Sequence, residues 1–494
     1  MIRETVGHLR DLPRYRQILA VLIRYGYQDV VKALRLEGIV KPIERATIGD
    51  EAASYDRPRR LRLVCEELGP TFVKLGQVLS TRRDLLPEAY TSELSALRDD
   101  VRPFSFEQVQ EILAEEYPDA SESVFASIDP VPVASASISQ VHKAVLHDGR
   151  VVALKVRRPD LHKIVAADLD VLKNLAQLAE RHLPALAVYQ PRMLVREFER
   201  TIKRELDFNV ELRTLLRCRR QFANDPTAHI PFAVEELSTS RILVMEFLEG
   251  ARIDDAPAIR ALGAEPGQVA VVGSNILVKQ VFQFGLFHAD PHPGNLRVLP
   301  GGVVALLDFG MFGRLSTKSR EHIADLLAGL FGQDVDRVLK ALDELSVRGE
   351  NVDPDELRRD VDELVQTYCD LTLATINLED MLGELVALIR RHRLQIPSDL
   401  VLLIRALVTI EGTCRALDPE FDVAGRVEPA LRRVMIRRYS PLRLLNQASA
   451  TAEDLQRIAM LLPDLLSHSL ESIKRGELNV KFDVQGFERL VKQL

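Results

Sequence analysis

The sequence reads HADPHPGN at residues 288–295 and, after the apolar run VVALL at residues 303–307, it reads DFG at residues 308–310. The apolar run predicts a short buried strand, and the Pro, Gly and Asn residues before it predict a turn-rich loop. Asn295 lies thirteen positions before Asp308, so one strand and its turns separate the two side chains. We expect this stretch to carry the polar groups that metal-bound phosphates require.

The residue types in this stretch fit phosphoryl transfer, in which catalysis is mostly positioning and charge neutralisation. Asp290 is the predicted catalytic residue, because its carboxylate can orient an attacking hydroxyl or water. Asn295 and Asp308 are the predicted ligands of Mg²⁺, which takes oxygen ligands and keeps several waters. The pattern D-x-H-x-x-N, joined to DFG through an apolar strand, has kinase-like spacing. The alternative is that Asp290 and Asn295 only cap turns.

A second pattern, VALK ending at Lys155, closes a hairpin that we predict over residues 141–156 from the turn signal Asp148-Gly149. A kinase lysine on such a strand reaches the α- and β-phosphates, so Lys155 is assigned catalytic and nucleotide-binding roles. Its expected partner in catalysis is Glu211, which lies in a block of helical periodicity. The alternatives are a solvated lysine and a surface ion pair.

The loop before this hairpin has no glycine, although the phosphate loops of kinases are glycine-rich. Residues 133–140 read VASASISQ, and these small residues do not favour positive φ. The loop therefore cannot wrap phosphates as a glycine-rich loop does. We assign nucleotide binding to its four small residues, Ala134, Ser135, Ala136 and Ser137. The alternative is a plain Ala/Ser linker.

The composition, with 46% hydrophobic and 28% charged residues, is that of a globular protein. A net charge of -7 disfavours a nucleic-acid binder. The four cysteines show no CxxC pairing, which argues against zinc sites and disulfide frameworks and favours a reducing cytoplasm. Residues 1–16 lack the core of a signal peptide, and no apolar run approaches the roughly 20 residues of a spanning helix.

Periodicity divides the chain into four segments of an α+β protein. Residues 1–128 have helical spacing and form an N-terminal extension. Residues 129–249 contain the hairpin, further helices and a buried strand at 241–247. Residues 250–430 are expected to be helical, interrupted once by the turn-rich chain and apolar strand described above. Residues 431–494 form a C-terminal tail.

These motifs, together with KLGQ at residues 74–77, resemble the UbiB family of atypical kinases, whose eukaryotic members act in coenzyme Q biosynthesis. The resemblance covers most of the chain. Its further matching residues are Ser80, Arg82, Asp84, Pro87, Ser137 to His142, Ile396-Pro397, Arg405-Ala406, Glu411-Gly412 and Leu417-Asp418-Pro419. The resemblance implies a bilobal protein-kinase-like fold with an N-terminal helical extension and a mostly helical C-lobe.

The resemblance also implies roles that the motifs alone do not. Lys74 and Gln77 would gate the cleft by folding over the place where a protein substrate would sit. Glu205 would hold Lys74 by charge, with Asp207 completing the E-x-D pair. Without the family, Lys74 and Gln77 would be read as the solvent face of a helix. The adenine-contacting hinge would be formed by Glu246, Phe247 and Leu248.

Two features depart from the family pattern. The loop commonly reads A-A-A-S, whereas residues 134–137 read ASAS, so a preference between ATP and ADP does not carry over from that loop. Many bacterial relatives continue into hydrophobic C-terminal helices that this sequence lacks. Either the chain is shortened or it attaches peripherally at the cytoplasmic face of the membrane. Residues 431–445, in which arginines alternate with apolar residues, suit an anionic membrane or, equally, solvent.

The leading hypothesis is an atypical kinase-like ATPase that binds Mg²⁺ and ATP or ADP and supports isoprenoid-quinone or other membrane-lipid biosynthesis. Its expected partners are a lipid or quinone precursor and enzymes of quinone biosynthesis, and no nucleic acid. The alternatives are a small-molecule phosphotransferase and a non-catalytic, nucleotide-dependent scaffold. Protein kinase activity is disfavoured, because His292 replaces the usual lysine and no A-P-E follows Asp308 at a normal distance.

Overall fold

In the computed structural model the chain divides into two compact units, Met1–Leu431 and Arg432–Leu494. The structure describes residues 12–36, 55–82, 86–97, 101–118, 124–183, 190–346, 352–368 and 378–422, with 425–426, 429–430 and 433–434. Asp84 and, apart from Arg433 and Val434, the predicted basic segment at 431–445 lie outside the described residues. Among the helices of the described residues, none is both long and apolar enough to cross a membrane.

The N-terminal part is helical, as its periodicity predicts. Local sequence sets several of the helix ends: Asp56 caps the third helix by accepting a hydrogen bond from Arg59 N–H. Gly69, at a φ of 95°, ends that helix, and Pro70 begins the next one. The helices are α1 (Leu12–Arg24), α2 (Gln28–Ala33), α3 (Arg57–Leu68), α4 (Pro70–Thr81), α5 (Glu88–Ser95) and α6 (Phe106–Glu116).

The next layer is an antiparallel sheet in the order β1-β3-β4-β6, with β2 paired to β3. The predicted hairpin is present, and Gly149 at its turn has a φ of 87°, which glycine adopts readily. The strand predicted at 241–247 is also present, as β6. The strands are β1 (Phe125–Ile128), β2 (Ala134–Ser135), β3 (Ser139–Leu146), β4 (Val151–Arg157) and β6 (Ile242–Glu246).

The helical prediction for residues 1–128 is wrong at its end. Residues 125–128 form β1, which pairs with β3 because tertiary context overrides a four-residue segment with little periodicity of its own. Helix α6 also packs on this sheet. Val109 and Ile112 of the helix share one buried core with Leu154 and Val244 of the strands. The sheet core therefore includes residues from before position 129.

Among the described residues, three helices follow β4, as periodicity over residues 160–222 predicts: α7 (Leu161–His182), α8 (Pro191–Glu205) and α9 (Phe208–Gln221). Asp207 caps α9 by accepting a hydrogen bond from Asn209 N–H at 3.1 Å. This cap starts the helix so that Glu211, in its first turn, is buried against the sheet. Glu211 therefore lies within one turn of the start of α9.

The C-terminal part is mostly helical, but it contains more strands than the one predicted at 303–307. Each missed strand has two to four residues, too few to show a period of two. Two small sheets result, β5-β10-β9-β7 and β11-β8. The strands are β5 (Ala228–His229), β7 (Ala251–Arg252), β8 (Leu286–His288), β9 (Leu296–Leu299), β10 (Val303–Leu306) and β11 (Phe312–Arg314).

Some helices of this part pack against strands of the two small sheets. A π-helical turn, Lys279–Phe284, lies between the helix Pro266–Val278 and β8. The helices are α10 (Ala256–Ala261), α11 (Pro266–Val278), α12 (Thr317–Phe331), α13 (Val335–Leu345), α14 (Pro354–Thr367), α15 (Leu378–Arg391) and α16 (Ser398–Leu417).

Candidate active site

Asp290 lies in the loop after β8, and the pairing of β8 with β11 fixes that loop. His288 is paired with Phe312 across the two strands, and Ala289 N–H donates to the Met311 carbonyl at 3.0 Å. The His288 ring is buried, and its Nδ1 accepts a hydrogen bond from Asp290 N–H at 3.2 Å. Burial lowers the pKa of His288, so the ring anchors the loop without adding a charge at neutral pH.

Asn295 and Asp308 are brought to the same place by the antiparallel ladder of β9 and β10. Leu307 N–H donates to the Asn295 carbonyl at 2.9 Å, and the Asn295 Nδ2 donates to the Asp290 carbonyl at 3.1 Å. This hydrogen bond leaves Oδ1 as the atom of the Asn295 side chain that can face a cation. One carboxylate and one amide oxygen are a donor set that Mg²⁺ accepts beside phosphates. The residues present therefore fit the predicted cation.

Lys155 connects the sheet to this site. Its Nζ donates to both carboxylate oxygens of Glu211, at 2.7 and 2.9 Å, and to Asp308 Oδ1 at 3.3 Å. The pairing expected from the sequence is thus present in the structure, with a contact to Asp308 in addition. The side chain of Lys155 is 16% exposed and that of Glu211 is 5% exposed, so this is no surface ion pair.

The three charges determine one another's ionisation. Burial lowers the pKa of Lys155, but the two carboxylates more than offset it and raise that pKa overall. Burial raises the pKa of Asp308, but the Lys155 ammonium outweighs it and holds that pKa well below its usual range. Burial raises the pKa of Glu211 to about 7, because the Lys155 ammonium only partly opposes it and the Asp308 carboxylate adds to it. Strongly shifted groups clustered in this way are typical of functional sites.

The four small loop residues lie before β3. Ala134 and Ser135 form β2, which is paired with Val141 and Gln140. Ala136 N–H donates to the Ser139 carbonyl at 2.7 Å, so the loop closes on itself. The predicted nucleotide contacts of these residues, including the buried Ser137, stay predictions.

The predicted hinge begins where β6 ends. The Glu246 side chain accepts a hydrogen bond from Phe232 N–H at 3.2 Å, and its Oε2 lies 2.9 Å from His229 Nε2. Phe247 N–H donates to the Val151 carbonyl at 3.3 Å. The side chain of Glu246 is therefore engaged elsewhere, and the backbone from Glu246 to Leu248 is the part that can contact a base.

The predicted gating residues lie on α4 and at the end of α8. Lys74 Nζ is 3.1 Å from Glu205 Oε2, and both side chains are mostly buried. No residue of α4 is exposed, so the reading of Lys74 and Gln77 as a solvent face is wrong. The Gln77 amide donates to the Leu97 carbonyl at 3.3 Å, and Asp207 serves as the cap of α9. Gating itself stays a prediction.

Arg405 is a site residue to which sequence reasoning gave no role. It projects from α16, and its Nη2 lies 3.1 Å from Asp290 Oδ2. His292, in the position of the usual kinase lysine, instead accepts a hydrogen bond from Gly294 N–H at its Nδ1 and caps a short turn. The cation beside Asp290 therefore comes from a distant helix. No local spacing could reveal this pairing, because only the tertiary fold brings the two residues together.

Comparison with known proteins identifies the family. The model of the ABC1 atypical kinase-like domain matches residues 96–342, and that of the UbiB helical domain matches residues 361–422. The chain is 33% identical to a probable protein kinase UbiB of Xylella fastidiosa over 98% of its own length and 91% of that protein. The chain belongs to the ABC1/UbiB family of atypical kinases. The resemblance inferred from the sequence and the kinase-like fold with added helices are thereby confirmed.

Two further proteins and one solved structure are also similar to this chain. A probable protein kinase UbiB of Xanthomonas campestris is 32% identical over 98% of this chain and 87% of its own length. An uncharacterized protein of Synechocystis is 31% identical over 90% of this chain and 77% of its own. A solved structure of Rv3197 from Mycobacterium tuberculosis with erythromycin aligns at a TM-score of 0.47 and 22% identity, covering 72% of this chain and 90% of that one.

The two matched domains divide the site between them. Lys155, Glu211, Asp290 and Asp308 lie within the ABC1 atypical kinase-like domain, which implies a nucleotide ligand. Arg405 lies within the UbiB helical domain. The ion pair between Arg405 and Asp290 therefore joins the added helices to the kinase-like site.

Proposed function

We propose that this ABC1/UbiB protein is an atypical kinase-like ATPase that binds a complex of Mg²⁺ with ATP or ADP. The observation that carries the proposal is the buried contact of Lys155 with both Glu211 and Asp308. Kinases need their lysine, its helix glutamate and the DFG aspartate in place at once to hold phosphates and metal. Here all three are already assembled.

The other site residues suit distinct tasks in this proposal. Asn295 and Asp308 would hold Mg²⁺, which when bound would neutralise charge on the phosphates. Lys155 would bind the α- and β-phosphates, and its place on a strand and its ion pair with Glu211 keep it rigid. Asp290 would orient the attacking water or hydroxyl. Arg405 would hold that carboxylate by charge, through the single contact between its Nη2 and Asp290 Oδ2 at 3.1 Å.

ATP hydrolysis is preferred to transfer onto a protein because α4 carries Lys74 to a mostly buried ion pair with Glu205. In this proposal α4 covers the substrate entrance, and the output of the site supports isoprenoid-quinone or other membrane-lipid biosynthesis. The lipid role rests on the family resemblance and on the name of the relatives. A non-catalytic scaffold that responds to nucleotide is the second candidate, favoured by the ion pair that occupies Asp290 in this structure.

Nucleotide-dependent thermal stabilisation tests the proposal. A ligand that binds only the folded state must raise its stability, by about 2.7 kcal/mol at a concentration one hundred times its dissociation constant. We expect MgADP and MgATP to raise the melting temperature of the wild type but not of Asp308→Asn. Asp170→Asn, which changes an exposed carboxylate on α7, is the matched control and should respond as the wild type does.

Phosphate release then separates the ATPase from the scaffold. We expect the wild type, with anionic liposomes present, to release phosphate at least tenfold faster than Asp290→Asn. Equal and negligible release by both, with stabilisation by nucleotide retained, would favour the scaffold. If neither nucleotide stabilised the wild type, the proposal of a nucleotide site would itself be contradicted.

A further inference from the structure

The guanidinium of Arg158 sits behind the glycine-free loop at residues 134–137. Its Nε donates to the Ala136 carbonyl at 2.9 Å, and its Nη2 lies 2.9 Å from the Ser135 hydroxyl. The backbone contributes as well, since Arg158 N–H donates to the Ile138 carbonyl at 2.9 Å. One residue, just past the end of β4, therefore holds the chain at three positions, Ser135, Ala136 and Ile138.

The same guanidinium also holds the chain that leads into α6. Its Nη2 donates to the Arg102 carbonyl at 3.0 Å and approaches the Val101 carbonyl at 3.4 Å, while the Ser135 hydroxyl donates to that same Val101 carbonyl at 2.7 Å. The guanidinium carbon stands 5.6 Å from the centre of the Phe104 ring. The loop is thus fastened through Arg158 to the segment at residues 101–104.

A second, buried tie runs beside the first. Gln140 is fully buried, and its side-chain amide exchanges two hydrogen bonds with the Phe104 backbone, at 3.0 and 3.3 Å. Together the two ties fix the start of β3 and the loop before it against one stretch of chain. The Ser137 hydroxyl between them is buried and has no hydrogen-bond partner among the described residues.

The loop's own backbone explains why this fastening matters. Glycine-rich loops offer N–H groups to phosphates and adapt by moving. Here Ala136 already donates its N–H to the Ser139 carbonyl and accepts from Arg158 at its own carbonyl. The loop therefore presents one preset shape, and binding need not spend free energy on ordering it.

We propose that Arg158 is a positioning residue that presets the loop at residues 134–137 for the phosphate chain of the nucleotide. The inference rests on the proposed nucleotide site and specifies what shapes one wall of it. Arg158 has no contact with the phosphates in this role and acts only through the loop. Removal of the Arg158 side chain should therefore weaken the binding of those ligands whose phosphates face the loop. The contacts of the base and the ribose should be unchanged.

The neighbouring Arg157 supplies a matched control. It is also partly buried, and its guanidinium also binds backbone carbonyls, those of Leu206 at 2.5 Å and Ser240 at 3.4 Å. The Ser240 carbonyl lies just before β6, which borders β4 on the side opposite β3 and the loop at residues 134–137. A general loss of stability should follow from either substitution, whereas an effect on phosphate binding should follow from Arg158 alone.

The test measures dissociation constants of adenosine, AMP, MgADP and MgATP by calorimetry for the full-length wild type, Arg158→Ala, Arg158→Lys and Arg157→Ala. We expect Arg158→Ala to raise the dissociation constants of MgADP and MgATP about tenfold, while those of adenosine and AMP change by less than about twofold. Arg158→Lys should resemble Arg158→Ala, because an ammonium keeps the charge but lacks the planar fork. Arg157→Ala should bind all four ligands within about twofold of the wild type.

Hydrogen exchange without nucleotide gives an independent readout. Amides of residues 133–140 should exchange faster in Arg158→Ala than in Arg157→Ala. Unchanged MgADP binding in Arg158→Ala, an equal loss for all four ligands, or full rescue by lysine would each overturn the positioning role while leaving the nucleotide site standing. A wild type that binds none of the four ligands would instead overturn the proposed function, and this inference with it.

Discussion

Glu211 is a buried carboxyl group whose ionisation depends on two charged neighbours. Its side chain is 5% exposed and lies between an ammonium and a second carboxylate. Burial and Asp308 raise its pKa more than Lys155 lowers it, so that pKa rises from 4.5 to about 7. A group whose pKa is higher in the folded state binds its proton more tightly there. Its contribution to stability is therefore greatest when it is protonated.

The first prediction concerns Glu211→Gln, which removes this titration. The stabilising contribution of Glu211 should be complete below pH 4.5 and should be lost as the pH rises towards about 7. The free energy of unfolding of the wild type minus that of Glu211→Gln should therefore fall from pH 5 to pH 7 and then level off. Urea denaturation of both proteins at several pH values measures this difference in the free energy of unfolding. His288, whose pKa burial lowers, is present in both proteins, so its titration cancels.

A difference that stays constant, or that grows with pH, would show that Lys155 keeps Glu211 ionised throughout this range. The ammonium would then outweigh burial, and the site would carry a net charge one unit more negative in nucleotide-free protein at pH 6.

At the scale of single residues, sequence motifs predicted the site residues that lie close to one another in the chain. Asp290, Asn295 and Asp308 could be assigned together because one loop and one strand determine their separation. Arg405 could not, because its contact with Asp290 depends on how α16 crosses the site. The reading of Lys74 as exposed failed for the same reason: only tertiary packing shows that α4 has no exposed residue.

Among the elements, α4 shows why a helix can require a glycine in its middle. A Cβ added at Gly76 would lie 2.3 Å from Leu97 Cδ1, 3.3 Å from Leu94 Cδ2 and 3.4 Å from Cys65 Sγ. Those three side chains are themselves buried, so they have little room to withdraw. The glycine between Lys74 and Gln77 thus permits α4 to pack closely against α3 and α5.

The second prediction follows from that packing. Gly76→Ala should destabilise the protein by about 1–3 kcal/mol through overpacking, although alanine is the better helix former. Gly383→Ala is the matched control, because Gly383 is an exposed position in α15 with nothing within 4 Å of an added Cβ. That substitution should stabilise by up to about 1 kcal/mol. Urea denaturation of both variants compares them, and equal effects of the same sign would contradict the close packing of α4.

The elements that could be predicted were those with a strong local signal. The hairpin of β3 and β4 follows from Asp148-Gly149 between alternating apolar residues, and α7 to α9 follow from sustained helical periodicity. Strand β1 was missed because its four residues take their structure from β3. The strand β8 was missed although it fixes Asp290, because three residues carry no readable period.

Within the unit Met1–Leu431, three separate parts of the chain meet at Glu197 of α8. One carboxylate oxygen accepts from Arg82, at the end of α4, at 2.9 Å. The other accepts from the hydroxyl of Ser398, at the start of α16. Since α4 carries Lys74 and α16 carries Arg405, this single carboxylate links the two helices that bring charges to the candidate site.

The third prediction is that Glu197→Ala loosens both helices at once. Its loss leaves the mostly buried Arg82 guanidinium without this carboxylate, which should cost about 1–3 kcal/mol of local stability. Amides of α4 and of the first turns of α16 should then exchange with solvent at least about fivefold faster. Glu199→Ala, two positions along α8, is the matched control because Glu199 pairs with Lys173 and Lys203, which are more exposed than Arg82. It should change exchange in α4 and α16 little, since exposed ion pairs contribute about 0–1 kcal/mol. If the two variants exchanged alike, Glu197 would not couple the helices that carry Lys74 and Arg405.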